Sequence, residues 1–129
     1  LSAESGEGWV SYVPKEAKTK KEVVLLAGDE EYRSEESLPM LAKILSERHG
    51  IKSTVLFSVN DKGEIDPKAG GSLGNPAALD SASVIVMGLR FRHWPDETMK
   101  KFEAAMNRGV GVVSLRTSTH AFNFPKESP

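Results

Sequence analysis

The sequence predicts an α/β protein with a doubly wound, mostly parallel sheet and helices on both faces. Four short apolar runs, rich in Leu and β-branched residues, have the length of strands rather than of helices. Their hydrophobicity is continuous rather than alternating, which marks strands covered on both faces. Between them lie two stretches with apolar residues at helical spacing. The order β-α-β-loop-β-α-β implies right-handed crossovers between parallel strands.

Residues 1–21 are polar apart from Trp9, Val10, Tyr12 and Val13, and read as an N-terminal extension to a domain over 22–129. Glu22 to Ala27 (EVVLLA) is the first strand, closed by Gly28. A polar loop to Ser34 leads into a helix that starts at Ser34 or Ser37 and runs to His49. Leu38, Leu41, Ala42 and Leu45 form its apolar stripe, widened by Met40 and Ile44. Pro39 fits only the first turns, where its missing N–H costs nothing, so the start at Ser37 is favoured. Gly50 suits the position just past the helix end.

Lys52 to Val59 (KSTVLFSV) is the second strand. Asn60 to Pro76 is glycine-rich and aperiodic, so long a connection that it is either functional or loosely ordered. Ala77 to Ala82 forms a helical turn before the third strand, Ser83 to Gly88 (SVIVMG). After a loop from Leu89 to Trp94, the second helix spans Pro95 to Arg108, with Met99, Phe102 and Met106 on one face. Pro95 suits its first turn and Gly109 its end. Val110 to Leu115 (VGVVSL) is the fourth strand, and Arg116 to Pro129 is a turn followed by coil.

A chain of 129 residues is by default one domain. Its net charge of −1 offers no basic excess for nucleic acid or a membrane surface, so neither partner is expected. No apolar run approaches the ~20 residues of a membrane helix. The absence of cysteine excludes disulfides, thiolate metal sites and a cysteine nucleophile. The polar start at Leu1 fits the mature end of an exported protein and equally a trimmed boundary.

In open α/β sheets ligands bind outside the carboxyl ends of the strands. That rule selects three loops. The first carries Asp29, Glu30 and Glu31, then Tyr32 and Arg33; a carboxylate here can serve as a general base or a metal ligand, or stay a solvated charge near a helix start. The second carries Arg90 and Arg92, spaced to share a face and grip a carboxylate, phosphate or sugar hydroxyls, or to pair with the acidic loop. Trp94 offers either a sugar platform or a cover for the sheet edge, and His93 reads as a surface histidine. The third carries Arg116, Thr117, Ser118, Thr119 and His120. Its layout is that of a nucleophile elbow, but the Gly-x-Ser-x-Gly pattern is missing, and Arg116 with His120 reads better as a pair that binds or polarises a ligand oxygen. No phosphate-loop or dinucleotide fingerprint is present. The three histidines lack metal-ligand spacing among themselves; a mixed site from Asp29, Glu31 and His120 is the weaker alternative, and no metal or cofactor is expected.

The stretches VVLLAGDEEYRSEESLPMLAKILSERHG and LDSASVIVMGLRFRHWPDETMKKFEAAMNRGVGVVSLRTSTHAFNF resemble the trehalose-utilisation (ThuA-like) family, and within it the proteins of planctomycete-type bacteria. The resemblance spans about Val23 to Pro125, with AGDEEYRSEESLP and LRTSTHAFNF its more specific phrases. It implies a flavodoxin-like fold of the class I glutamine amidotransferase-like superfamily. It implies binding or turnover of a carbohydrate, of hydrolase or isomerase type, and an exported rather than cytoplasmic location, with self-association left open. The catalytic positions it implies are Asp29, Glu30, Glu31 and His120; the ligand-binding ones are Tyr32, Arg33, Arg90, Arg92, Arg116, Thr117 and Thr119. Arg116 stands where the amidotransferases carry their cysteine nucleophile and where ThuA-like relatives often carry histidine, so glutaminase chemistry is excluded. Domains of this family run longer, which implies a chain truncated after the fourth strand.

Overall fold

The computed structural model describes residues 1–129. Its strands are β1 (Ser2–Gly6), β2 (Trp9–Val13), β3 (Glu22–Gly28), β4 (Lys52–Phe57), β5 (Val84–Leu89) and β6 (Gly111–Ser114). Two α-helices, α1 (Ser34–His49) and α2 (Asp96–Asn107), and short 3-10 turns at Pro76–Ser81 and Ser118–His120 complete the elements. All strands form one sheet in the order β1-β2-β4-β3-β5-β6. The four strands β4, β3, β5 and β6 are parallel, and the β1–β2 hairpin joins the free side of β4 antiparallel.

Side chains alternate between the faces of a strand, and β3 shows what each face meets. Val23, Leu25 and Ala27 pack with Leu38 and Ala42 of α1, Val55 and Phe57 of β4 and Val86 of β5. Val24 and Leu26 pack with Leu56, Ile85, Met87 and Leu89, and with Ala105 of α2. Each helix thus covers its own face of the sheet, as the continuous apolar runs require. Full burial of each such Leu or Ile contributes ~1.5–3 kcal/mol.

Several boundaries depart from the sequence reading. The stretch 1–21 is not an appendage in structural terms: β2 pairs with β4 from Trp9↔Leu56 to Tyr12↔Ser53, and Val10 and Tyr12 pack against the α1-side core. Its strands were illegible because β1 is wholly exposed and carries no apolar pattern. Helix α1 starts at Ser34, not Ser37, which places Pro39 in the second turn. Ser34 lies on the buried face continued by Leu38, Ala42 and Ser46, although its hydroxyl finds no hydrogen-bond partner there. The entry is tightened, with the N–H groups of Glu36 and Ser37 both donating to the Arg33 carbonyl (3.0 and 3.3 Å). Gly50, left-handed at φ 66°, ends the helix as expected.

Strand β4 stops at Phe57, because Ser58 and Val59 leave the sheet to anchor the following loop; β6 is shorter than expected at both ends. Pro95 precedes α2 rather than opening it. Trp94 is 2% exposed and packs edge-on against Phe102 and Phe122, so it is a core residue and neither a sugar platform nor a cover for the edge. The segment after β6 is not free coil. It turns back through Ser118–His120 and runs beside the end of β5, where Phe91 and Arg92 donate to the carbonyls of His120 and Ala121 (2.8 and 2.7 Å).

Candidate functional site

The parallel strand order reverses between β3 and β5, so the crevice at their carboxyl ends is where such a sheet places a ligand. The loop after β3 supplies one wall, the loop after β5 the other, and the turn after β6 closes one end. All three polar loops therefore meet, as the sequence suggests. What they do there is mostly to bond each other.

Arg92 is the centre. It is 2% exposed and lies over Gly28, where a Cβ would stand 3.0 Å from its Cδ; the absence of a side chain at the strand exit makes room for it. Its guanidinium donates to the Arg90 carbonyl (2.7 Å), Ser58 Oγ (3.1 Å), the Pro67 carbonyl (2.9 Å) and Glu30 Oε2 (3.0 Å). Burial pulls its pKa below the ordinary arginine value, against the opposing pull of Glu30, Asp29 and Asp66. It stays a cation at neutral pH, since a guanidinium does not lose its proton in proteins. Arg90 donates to the other oxygen of Glu30 (2.5 Å), pairs with Glu31 (3.1 Å), and lies over the Phe91 ring at 4.4 Å. Glu30 is thereby clamped by two arginines, and the crevice is filled by ion pairs.

Asp29 is 1% exposed and equally committed. Its Oδ1 accepts from the backbone N–H groups of Glu31 and Tyr32 (2.8 and 3.1 Å), and its Oδ2 accepts from the Thr117 hydroxyl (3.0 Å). It shapes its own loop and ties it to the turn after β6, where the Arg116–Thr117 peptide is cis. Of the three acidic candidates only Glu31 is substantially open, with half its side chain exposed.

Ser118 is buried and its Oγ bridges the end of β5, donating to the Met87 carbonyl (2.8 Å) and accepting from the Leu89 N–H (3.0 Å). His120 does not touch it; the imidazole Nδ1 lies 3.2 Å from Thr119 Oγ1, and its ring meets Phe91 edge-on. The elbow-like layout therefore holds no serine nucleophile. Arg33 turns to Glu36 of its own helix and stands outside the crevice.

What remains open is a rim. Arg116 is exposed, makes no ion pair, and lies over the Tyr32 ring at 5.2 Å. Tyr32 is 44% exposed, and Thr119 and His120 are exposed beside the same turn. An open groove of about 410 Å³ on the flank of α1 starts at Tyr32 and continues over Met40, Leu41 and Ile44. The sequence reading missed Ser58, Asp66 and Pro67, which help to hold Arg92. The exit of β4 was a fourth strand end on the same edge, and the ligand-site rule points to it as much as to the other three.

No cluster of three His, Asp or Glu side chains is arranged to hold a metal ion, and no helix is long and apolar enough to cross a membrane. The fold and this edge define an α/β protein with a mostly parallel sheet. Comparison of the chain with protein-family models, curated proteins and solved structures finds no match.

Proposed function

We propose that this chain is a ThuA-like domain of flavodoxin-like fold that binds a small carbohydrate-derived ligand bearing a carboxylate, at the rim formed by Arg116, Tyr32, Thr119 and His120. The parallel strands run second, first, third, fourth across the sheet, the order of flavodoxin-like folds, which supports the fold assignment. The observation that carries the functional reading is the division of charge. Arg90 and Arg92 are paired with Glu30 and Glu31 at the crevice, whereas Arg116 keeps a free guanidinium over an aromatic ring. A planar guanidinium with its donors unspent takes a carboxylate bidentately, and the Tyr32 ring beside it offers a face for the carbons of a sugar.

The role is binding rather than turnover, because Asp29 and Glu30 have spent their oxygens on structure. If a proton is to be abstracted, Glu31 is the carboxylate with an oxygen left for it. Glutaminase activity is ruled out chemically, since arginine occupies the strand exit and the chain has no cysteine. The bacterial, exported setting that the resemblance implies belongs to the same proposal.

Isothermal titration with glucuronate, gluconate, glucose and trehalose tests this. Binding of the acids, weakened at least about tenfold by Arg116→Ala with unchanged melting, is the expected outcome; a tenfold loss corresponds to ~1.4 kcal/mol. Equal affinity of the Arg116→Ala protein, or no binding of any acid, removes the rim as the site. Consumption of a bound sugar that is lost in Glu31→Gln would replace binding by catalysis.

A further inference from the structure

The connection between β4 and β5, residues 60–76, touches the crevice only through the Pro67 carbonyl and Asp66. It is nevertheless firmly built. Ser72 Oγ accepts from the Val59 N–H (3.0 Å) and donates to the Val59 carbonyl, and the N–H groups of Asp66 and Gly74 donate to the carbonyls of Ser58 and Phe57 (3.0 and 2.8 Å). Of the two readings left open by its length, loose order is therefore excluded.

The loop and His93 enclose a groove of about 400 Å³ whose polar lining includes Asp61, Lys68, Gly71, Ser72 and His93. The imidazole lies close against Gly70 and Gly71. A Cβ at Gly70 would stand 3.0 Å from its Cε1, and one at Gly71 would stand 3.2 Å from its Nε2, so both glycines are needed for the ring to sit there. The backbone adds a bond from the His93 N–H to the Gly70 carbonyl (2.9 Å). Asp61, Lys68, Gly71 and His93 are exposed and keep bonding capacity toward the groove. The His93 ring has no hydrogen-bond partner in the protein, Lys68 and Asp61 are in no ion pair, and the consecutive N–H groups of Gly71 and Ser72 have no acceptor.

We propose that this groove binds a phosphomonoester carrying hydroxyl groups. The phosphate is held by the Lys68 ammonium, the His93 ring and the Gly71 and Ser72 amides, and a ligand hydroxyl donates to Asp61. Successive free amides make a concavity that favours an anion, and a lysine supplies the compact point charge that phosphate accepts. Asp61, the one carboxylate in the lining, disfavours a bare anion and favours one whose remaining part can donate hydrogen bonds. The site shares no residue with the Arg116 rim, so each can fail without the other.

The test is an amide NMR titration of the intact chain with inorganic phosphate and with glycerol phosphate. Saturable shifts at Gly71 and Ser72 are expected, with the ester the tighter of the two. Lys68→Ala and His93→Ala should each weaken the ester about tenfold, Asp61→Ala should erase its advantage over phosphate, and Arg116→Ala should leave the shifts at Gly71 and Ser72 as they are. Absence of saturable shifts with either probe, or shifts that persist in Lys68→Glu with the remaining spectrum intact, overturns the site. Equal affinity for the two probes overturns the assignment of an ester.

Discussion

Glu30 and Arg92 form an ion pair (3.0 Å) in which the arginine side chain is 3% exposed while the carboxylate keeps contact with water. The geometry is a graded one: the cation is locked in the protein and its counter-charge faces the crevice.

Arg92→Lys should therefore cost far more than its charge conservation suggests. A lysine ammonium is a point donor and cannot serve the carbonyls of Arg90 and Pro67, Ser58 Oγ and Glu30 together. Urea unfolding should show a loss of ~2–4 kcal/mol, the range for breaking a buried charged network. The pH dependence has a definite sign. Burial lowers the folded-state pKa of Arg92, so the unfolded chain holds the proton more tightly, and stability rises with pH only through a strongly alkaline window. Around neutrality the group should add no slope. A loss below ~1 kcal/mol for Arg92→Lys would show that water already satisfies most of these partners.

Asp29 separates a structural from a catalytic role. Asparagine can still accept from the Glu31 and Tyr32 amides through its carbonyl oxygen and donate to Thr117 Oγ1 through its amide. Asp29→Asn should thus cost ~1 kcal/mol or less in thermal unfolding, whereas Asp29→Ala orphans two amides and a hydroxyl and should cost ~2–4 kcal/mol. If some sugar is turned over and Asp29→Asn abolishes it at full stability, Asp29 is chemical after all.

The sequence foretold the parts of this molecule that physics encodes locally. The buried strands β3, β4 and β5 were legible because coverage on both faces demands unbroken apolar runs, and Gly50 and Gly109 marked helix ends. The β1–β2 hairpin was not, because β1 carries no apolar pattern and the short apolar cluster of β2 becomes a strand only through its pairing with β4. Of the two starts the sequence offers for α1, the favoured Ser37 is not the one taken, because the Arg33 carbonyl already accepts from the Glu36 and Ser37 N–H groups and begins the helix one turn earlier. At the edge, the convergence of the three loops followed from topology. Their partners did not: nothing local in Asp29-Glu30-Glu31 says that the middle carboxylate takes two arginines 60 and 62 residues away.

Ser118→Ala should leave the Met87 carbonyl and the Leu89 N–H facing each other without the hydroxyl between them. The Leu89 N–H loses its acceptor while the Met87 carbonyl keeps the Leu115 N–H (2.9 Å), so a destabilisation of ~1–3 kcal/mol is expected from denaturant midpoints. Affinity for an acid at the Arg116 rim should be unchanged. A fluorophosphonate should fail to label the wild-type serine, and labelling would reinstate the nucleophile reading.

Strand β6 is the parallel edge of the sheet, opposite the β1 edge, with Val112, Val113 and Leu115 at 44%, 48% and 41% exposure. Val113 pairs in register with Val86, which packs under α1, so it lies on the α1 face; Val112 pairs with Ile85 and lies on the other. The N–H groups of Gly111 and Leu115 donate to the Ser83 and Met87 carbonyls (3.4 and 2.9 Å), which leaves the backbone groups of Val112 and Ser114 pointing away from the sheet. Unpaired edges of this kind recruit further strands. Two copies meeting antiparallel satisfy those groups in the register that sets Val113 opposite its counterpart and Leu115 opposite Gly111, whose missing side chain accommodates the leucine. Sedimentation should therefore show a mass that rises with concentration. Val113→Lys places like charges directly opposite and should weaken association at least about tenfold, ~1.4 kcal/mol, whereas Val112→Lys, opposite Ser114, should weaken it less. A monomer at every concentration, or an association indifferent to Val113→Lys, would mean that the twist of the sheet or the returning Arg116 turn shields this edge in solution.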